Sequence, residues 1–195
     1  MKHTRLSLLL ALALLLALFA GASLSGCTPG EGNNRGGGAG KEVPPQAAPR
    51  EQVSPEEAPR IGFRAPAFSL PALSGGKQSL EDYAGSALII NFWTTWCRYC
   101  VDEMPLLQEL HDSAAGVVVL AVNVQEKQEV VESFINSAGY TFPVLLDEEA
   151  RAAGAYLVRG LPTTFAVNAR GVITAVRVGA FDAKGLAALV ESALE

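Results

Sequence analysis

Cys97 and Cys100, spaced as Cys97-Arg98-Tyr99-Cys100, are the residues best equipped for chemistry in this 195-residue chain. Two thiols separated by two residues make a redox pair when the first opens a helix. Its sulfur then lies against unpaired N–H groups and the positive end of the helix dipole. That environment favours the thiolate, which is the nucleophile of disulfide exchange. Cys97 fits this position. Cys100, one turn further in, fits the thiol that attacks a mixed disulfide and releases the product. Arg98 places positive charge beside Cys97, and Arg98 and Tyr99 together tune the potential of the pair. Two other uses of the thiols compete with this one. A closed zinc site needs about four ligands, and past the N-terminal region only His111 could join the two thiols. A plain stabilising disulfide across two residues closes too small a loop to add much stability.

The elements that must hold this pair are legible as an alternation. Ala87 to Phe92 is a short apolar run of strand formers directly upstream of the motif. Val117 to Val122 is apolar throughout, as expected of a strand covered on both faces. Val144-Leu145-Leu146 is a third strand, and Thr163 to Val167 and Val172 to Val178 flank Ala169-Arg170-Gly171 as a hairpin. Helical stripes lie between them: one from Cys97 to about Ala114, bent or broken near Pro105; one on Val130, Val131, Phe134, Ile135 and Ala138; and one on Leu186, Leu189, Val190 and Ala193, with Asp182 as N-cap. The order is strand–helix three times, then a hairpin and a terminal helix. This predicts an α/β fold with a central mixed sheet and helices on both faces.

Ahead of this domain, which is expected to span residues 61–195, the chain reads as an address and a tether. Lys2 and Arg5 precede a Leu/Ala-rich run from Leu6 to Ala20, so residues 1–26 read as a secretory signal. Leu24-Ser25-Gly26-Cys27 resembles the bacterial lipobox. That resemblance implies cleavage before Cys27 and lipidation of its thiol, which anchors the chain to the cell membrane on the extracytoplasmic side and keeps Cys27 out of redox chemistry. Residues 28–60 are rich in Gly and Pro without apolar periodicity, as in a flexible linker. The net charge of −5 becomes −7 without Lys2 and Arg5, which excludes a sequence-independent nucleic-acid binder.

Four motifs together carry a family resemblance: Asn91-Phe92-Trp93-Thr94-Thr95-Trp96-Cys97-Arg98-Tyr99-Cys100, Glu103-Met104-Pro105, Phe142 to Asp147, and Gly160-Leu161-Pro162-Thr163-Thr164-Phe165. The chain resembles the TlpA/ResA-type thiol–disulfide oxidoreductases of the thioredoxin-like superfamily, close to the redoxin (AhpC/TSA-related) group. The resemblance implies a thioredoxin-like fold, with residues 125–147 as the extra helix and strand of this branch. It implies that Pro162 is the cis-proline facing the active site and that the backbone of Leu161 pairs with the substrate chain. It also implies that Glu103 is a buried carboxylate serving Cys100, that Trp96 walls the site, and that Trp93 belongs either to the site or to the core. Asn91 stands where cytoplasmic thioredoxins carry a buried aspartate. Asn cannot accept a proton, so acid–base work passes to Glu103 or water.

Reduction of disulfides in secreted or envelope proteins is the leading functional expectation, with apocytochrome c during cytochrome c maturation as a narrower substrate. No G-x-G-x-x-G opens a helix after a strand, so no nicotinamide or flavin cofactor is expected beyond the Cys97–Cys100 disulfide. Electrons are expected from a membrane thiol donor of the CcdA or DsbD kind, no metal is expected, and a monomer is expected. Three alternatives remain open. An oxidant or isomerase would draw on Arg98. A thiol peroxidase would draw on Thr94, three residues before Cys97, although Ile90 stands where the peroxidase proline belongs. A copper chaperone would use the two thiolates, with His111 poorly placed as a further ligand.

Overall fold

The computed structural model describes residues 56–113 and 115–195. Cys27, the expected signal segment and most of the expected linker lie outside the described residues. The polypeptide enters through residues 56–58, where Glu57 bridges Arg64 and the N–H of Ala58 donates to the carbonyl of Arg64 at 3.1 Å.

Two short strands come first, β1 (Ser69–Pro71) and β2 (Lys77–Ser79), paired antiparallel and followed by a 3-10 turn over Leu80–Tyr83. The main sheet is built from β3 (Ala87–Trp93), β4 (Val117–Val124), β5 (Val144–Asp147), β6 (Thr163–Val167) and β7 (Ile173–Val178), in the order β5-β4-β3-β6-β7. β3 runs parallel to β4 and antiparallel to β6, so the sheet is mixed. Among the described residues the α-helices are α1 (Arg98–Asp112), α2 (Gln128–Ala138), α3 (Arg151–Ala155) and α4 (Ala183–Leu194). This is the thioredoxin-like α/β architecture, with α2 and β5 filling the expected insert.

β3 is the central strand, and every one of its residues is buried. Its side chains alternate between two apolar layers. Ala87, Ile89 and Trp93 face a layer shared with Met104, Leu107 and Leu110 of α1, Val131 and Ile135 of α2, and Leu186 and Leu189 of α4. Leu88, Ile90 and Phe92 face the opposite layer, with Leu120, Leu145, Phe165 and Tyr156. Full burial on both faces explains why β3 and β4 read as unbroken apolar runs instead of alternating ones.

Several local readings change in detail. α1 continues through Pro105 without a break. Pro105 lies on the exposed face of the helix, where water can take up the carbonyl of Val101 that proline cannot pair. α3 is little more than one turn long, too short to show periodicity. It starts because both carboxylate oxygens of buried Asp147 accept backbone N–H groups, from Ala152 at 3.2 Å and Ala153 at 2.8 Å. Asp182 caps α4 by accepting the Gly185 N–H at 2.8 Å. The β6–β7 turn closes with the Gly171 N–H donating to Asn168 O at 2.8 Å, and Gly171 has the positive φ of 76° that the turn requires.

Candidate active site

The site forms at the C-terminal end of β3. Trp93 ends the strand inside the core, and Thr94–Trp96 form a turn in which the Cys97 N–H donates to Thr94 O at 3.4 Å. Cys97 is the N-cap of α1, and its Sγ accepts the Cys100 N–H at 3.3 Å. A strand that stops here and a helix that starts here leave one sulfur against free helical N–H groups. That is the arrangement which stabilises a thiolate. Cys97 and Cys100 are joined as a disulfide, with Cα atoms 5.3 Å apart. Cys97 keeps 8% of its surface exposed and Cys100 none, so an incoming thiol or disulfide can reach Cys97 alone.

The residues between and beside the cysteines face solvent. Trp96 is 74% exposed and Tyr99 is 68% exposed, two aromatic faces flanking Cys97. Arg98 lies 3.7 Å from Asp102 in an exposed i,i+4 ion pair. Trp93 is fully buried and tilts over Phe134, which makes it a core residue.

Pro162 comes to the same end of the sheet. The register pairs Phe92 with Thr163, so the residue before Thr163 stands level with the end of β3, four residues ahead of Cys97. The Leu161–Pro162 peptide bond is cis, and the Pro162 carbonyl accepts the Gly179 N–H at 2.8 Å. Leu161 is half-buried beside it.

Glu103 is 1% exposed, on the inner face of α1 one turn past Cys100. Its Oε1 accepts from Asn91 Nδ2 at 2.8 Å and its Oε2 accepts from the Phe181 N–H at 3.1 Å. The same Asn91 Nδ2 also donates to Thr164 Oγ1 at 2.9 Å. Burial pushes the Glu103 carboxyl up to about 7, against the pull of these two donors and of the Arg177 charge. A buried carboxyl that titrates near neutrality can both accept and return a proton.

His111 does not join this group. It lies three turns along α1 from Cys100, about 16 Å by helical rise. Thr94, three residues before Cys97, is buried, and its hydroxyl has no hydrogen-bond partner among the described residues. One residue went unremarked in the sequence. Glu126, on the β4–α2 loop, accepts from both the N–H and the hydroxyl of Thr95. The only signal for it in the sequence is an acidic residue just past the apolar run of β4.

A Cys-x-x-Cys disulfide at the start of a helix and the end of a mixed sheet, with a cis-proline alongside, defines a thioredoxin-like thiol–disulfide oxidoreductase. The chain belongs to the AhpC/TSA family, whose model matches residues 61–176. It is 38% identical to the thiol-disulfide oxidoreductase ResA of Geobacillus kaustophilus over 134 residues, 68% of this chain and 77% of that protein. It is 40% identical to ResA of Bacillus subtilis over 120 residues, 60% of this chain and 67% of that protein. Among solved structures, a thiol:disulfide interchange protein of the thioredoxin family from Chlorobium tepidum superposes with a TM-score of 0.60 at 28% identity, covering 67% of this chain and 94% of that one. The chain is therefore an enzyme, a ResA-type thiol–disulfide oxidoreductase, and its substrates are disulfide-containing proteins.

Proposed function

We propose that this enzyme works as a reductase outside the cytoplasmic membrane, held there by lipid on Cys27. The Cys97 thiolate attacks a disulfide of a secreted or envelope protein, forming a mixed disulfide and releasing one substrate thiolate. Cys100 then loses its proton to Glu103 and attacks Cys97 Sγ. The second substrate thiol leaves, and Cys97–Cys100 is left oxidised. Trp96 and the backbone of Leu161 beside Pro162 receive the substrate chain. A membrane thiol donor of the CcdA or DsbD kind returns two electrons by the same exchange run on the Cys97–Cys100 disulfide. No bound cofactor enters these steps. Apocytochrome c awaiting haem is the narrower substrate we assign, and the working unit is a monomer.

The observation that carries the direction is the placement of Arg98. An oxidant needs strong stabilisation of its reduced thiolate. Arg98, the cation adjacent to Cys97 in the chain, points into solvent and pairs with Asp102, so its field at Sγ is screened and partly cancelled. The kinship with proteins named thiol-disulfide oxidoreductase ResA supports the exchange chemistry itself.

The equilibrium potential of Cys97–Cys100 tests this. A value near thioredoxin's, about −270 mV, is expected. A value near about −120 mV, at the DsbA end of the scale, would overturn the reductase in favour of an oxidant. On the same samples, Cys97→Ser should abolish exchange and Cys100→Ser should accumulate mixed disulfides.

A further inference from the structure

The turn ahead of Cys97 is held by a side chain that the exchange chemistry leaves unused. Glu126 is half-buried at the junction of β4 and α2. Its Oε2 accepts the Thr95 N–H at 2.7 Å and Asn123 Nδ2 at 2.7 Å, and its Oε1 accepts the Thr95 hydroxyl at 2.5 Å. A carboxylate with three donors on two oxygens is a fixed part of the framework. Its aim is set from both sides. Asn123 is buried in β4, paired with Trp93 of β3. Gln125 takes a left-handed conformation, φ 59°, with its N–H tied to Asp147 O at 3.0 Å. Residues other than glycine adopt that region sparingly, and it persists only where the surroundings hold it. Here it turns Glu126 toward the β3–α1 loop.

Thr95 is the second residue of the turn that the Cys97 N–H closes onto Thr94 O. Trp96 is the third and Cys97 the fourth. Bonds that fix Thr95 therefore fix the residue that caps α1 and the direction in which exposed Trp96 points.

We propose that Glu126 is a positioning residue for disulfide exchange, latching the Thr94–Cys97 turn so that Cys97 Sγ stays on the Cys100 N–H. The inference rests on the reading of Cys97 as the attacking thiol. It also ties the helix–strand insert to the redox centre, because the latch comes from the first residues of that insert. The effect runs through geometry. A carboxylate near Cys97 opposes the thiolate by charge alone, whereas the latch supports it by keeping the helix-cap bond in place. The two origins give opposite signs.

The test is alkylation of reduced Cys97 in the full chain as a function of pH, alongside exchange with a model disulfide, for Glu126→Ala, Glu126→Gln and Thr95→Val. Arg98, Asp102 and Glu103 remain in place in every variant. Glu126→Ala is expected to slow alkylation at neutral pH by about tenfold and to move its midpoint to higher pH. Glu126→Gln keeps one acceptor for the Thr95 N–H and should fall between parent and Ala. Thr95→Val should shift in the same direction, and adding it to Glu126→Ala should cost little more, since both remove one interaction. A midpoint that moves to lower pH, an unmoved midpoint with only a lowered Tm, or strictly additive effects would each overturn the latch. If Glu126→Ala does not fold, Thr95→Val and Glu126→Gln carry the same comparison. Alkylation reads the thiol directly. A parent with the expected profile that reduces no protein disulfide would refute the proposed function and leave the latch standing.

Discussion

Burial holds the Glu103 carboxyl near neutrality, at about 7 instead of its ordinary 4.5. The folded protein therefore keeps a proton that the unfolded chain gives up. Below pH 4.5 both states are protonated and the contribution to stability is whole. As pH rises from 4.5 to 7 the unfolded chain ionises first, and folding weakens by no more than roughly 3 kcal/mol. Above that window the penalty is constant. Denaturant titrations of the parent and Glu103→Gln across pH 4 to 8 should thus diverge, the parent losing stability through the window and the glutamine variant staying level. Parallel curves would mean that Glu103 does not titrate there. Glu103→Gln should also remove the inflection near neutral pH from the release of mixed disulfides, because Cys100 loses its proton acceptor. The family resemblance, through Glu103-Met104-Pro105, made Glu103 visible in the sequence. Its partners were not so visible. The Phe181 N–H comes from 78 residues away, and Asn91 meets Glu103 only because β3 packs on α1. Glu126 illustrates the same limit, since its bonds to Thr95 cross 31 residues and nothing local in the sequence encodes them.

Elements with a long apolar signature were the legible ones. β3 and β4 are buried on both faces, and α2 and α4 each carry one apolar stripe, so their periodicity states their role. β1, β2 and α3 were illegible because each is only three to five residues long and none carries the unbroken run of large apolar residues that marked the equally short β5. Their existence depends on particular bonds. β1 is followed by Leu73, whose N–H donates to Val144 O at 2.9 Å beside β5, and α3 hangs on the two bonds to Asp147. Replacing Asp147 by alanine leaves two buried N–H groups without their acceptor. It should cost about 2 kcal/mol of stability, at the upper end for a helix cap. Neither bond touches the cysteines, so exchange kinetics below the melting transition should match the parent. Chemical denaturation with a parallel exchange assay reads both. A variant as stable as the parent would show that α3 forms without its cap.

At the scale of the whole molecule, the redox potential and the stability of the fold are one quantity measured in two ways. A dithiol that the fold holds poised to close resists staying reduced, and the same preference makes the oxidised protein the more stable form. For this two-electron couple, each 30 mV by which folding makes the pair more reducing corresponds to about 1.4 kcal/mol of extra stability in the oxidised state. The geometry supplies terms of both signs. The helix cap at Cys97 supports a thiolate, whereas the paired and exposed Arg98 adds little, and Cys100 is fully buried, where a thiol gains nothing by ionising. A reductase therefore calls for an oxidised form that melts above the reduced form. A difference of one or two kcal/mol would raise Tm by about 3 to 8 °C in a domain of this size. Calorimetry of the chain with and without an excess of dithiol reductant measures that difference without any substrate. An oxidised form that melts first would mean that the fold stabilises the dithiol, and electrons would then flow from substrate thiols into Cys97–Cys100, making the enzyme an oxidant.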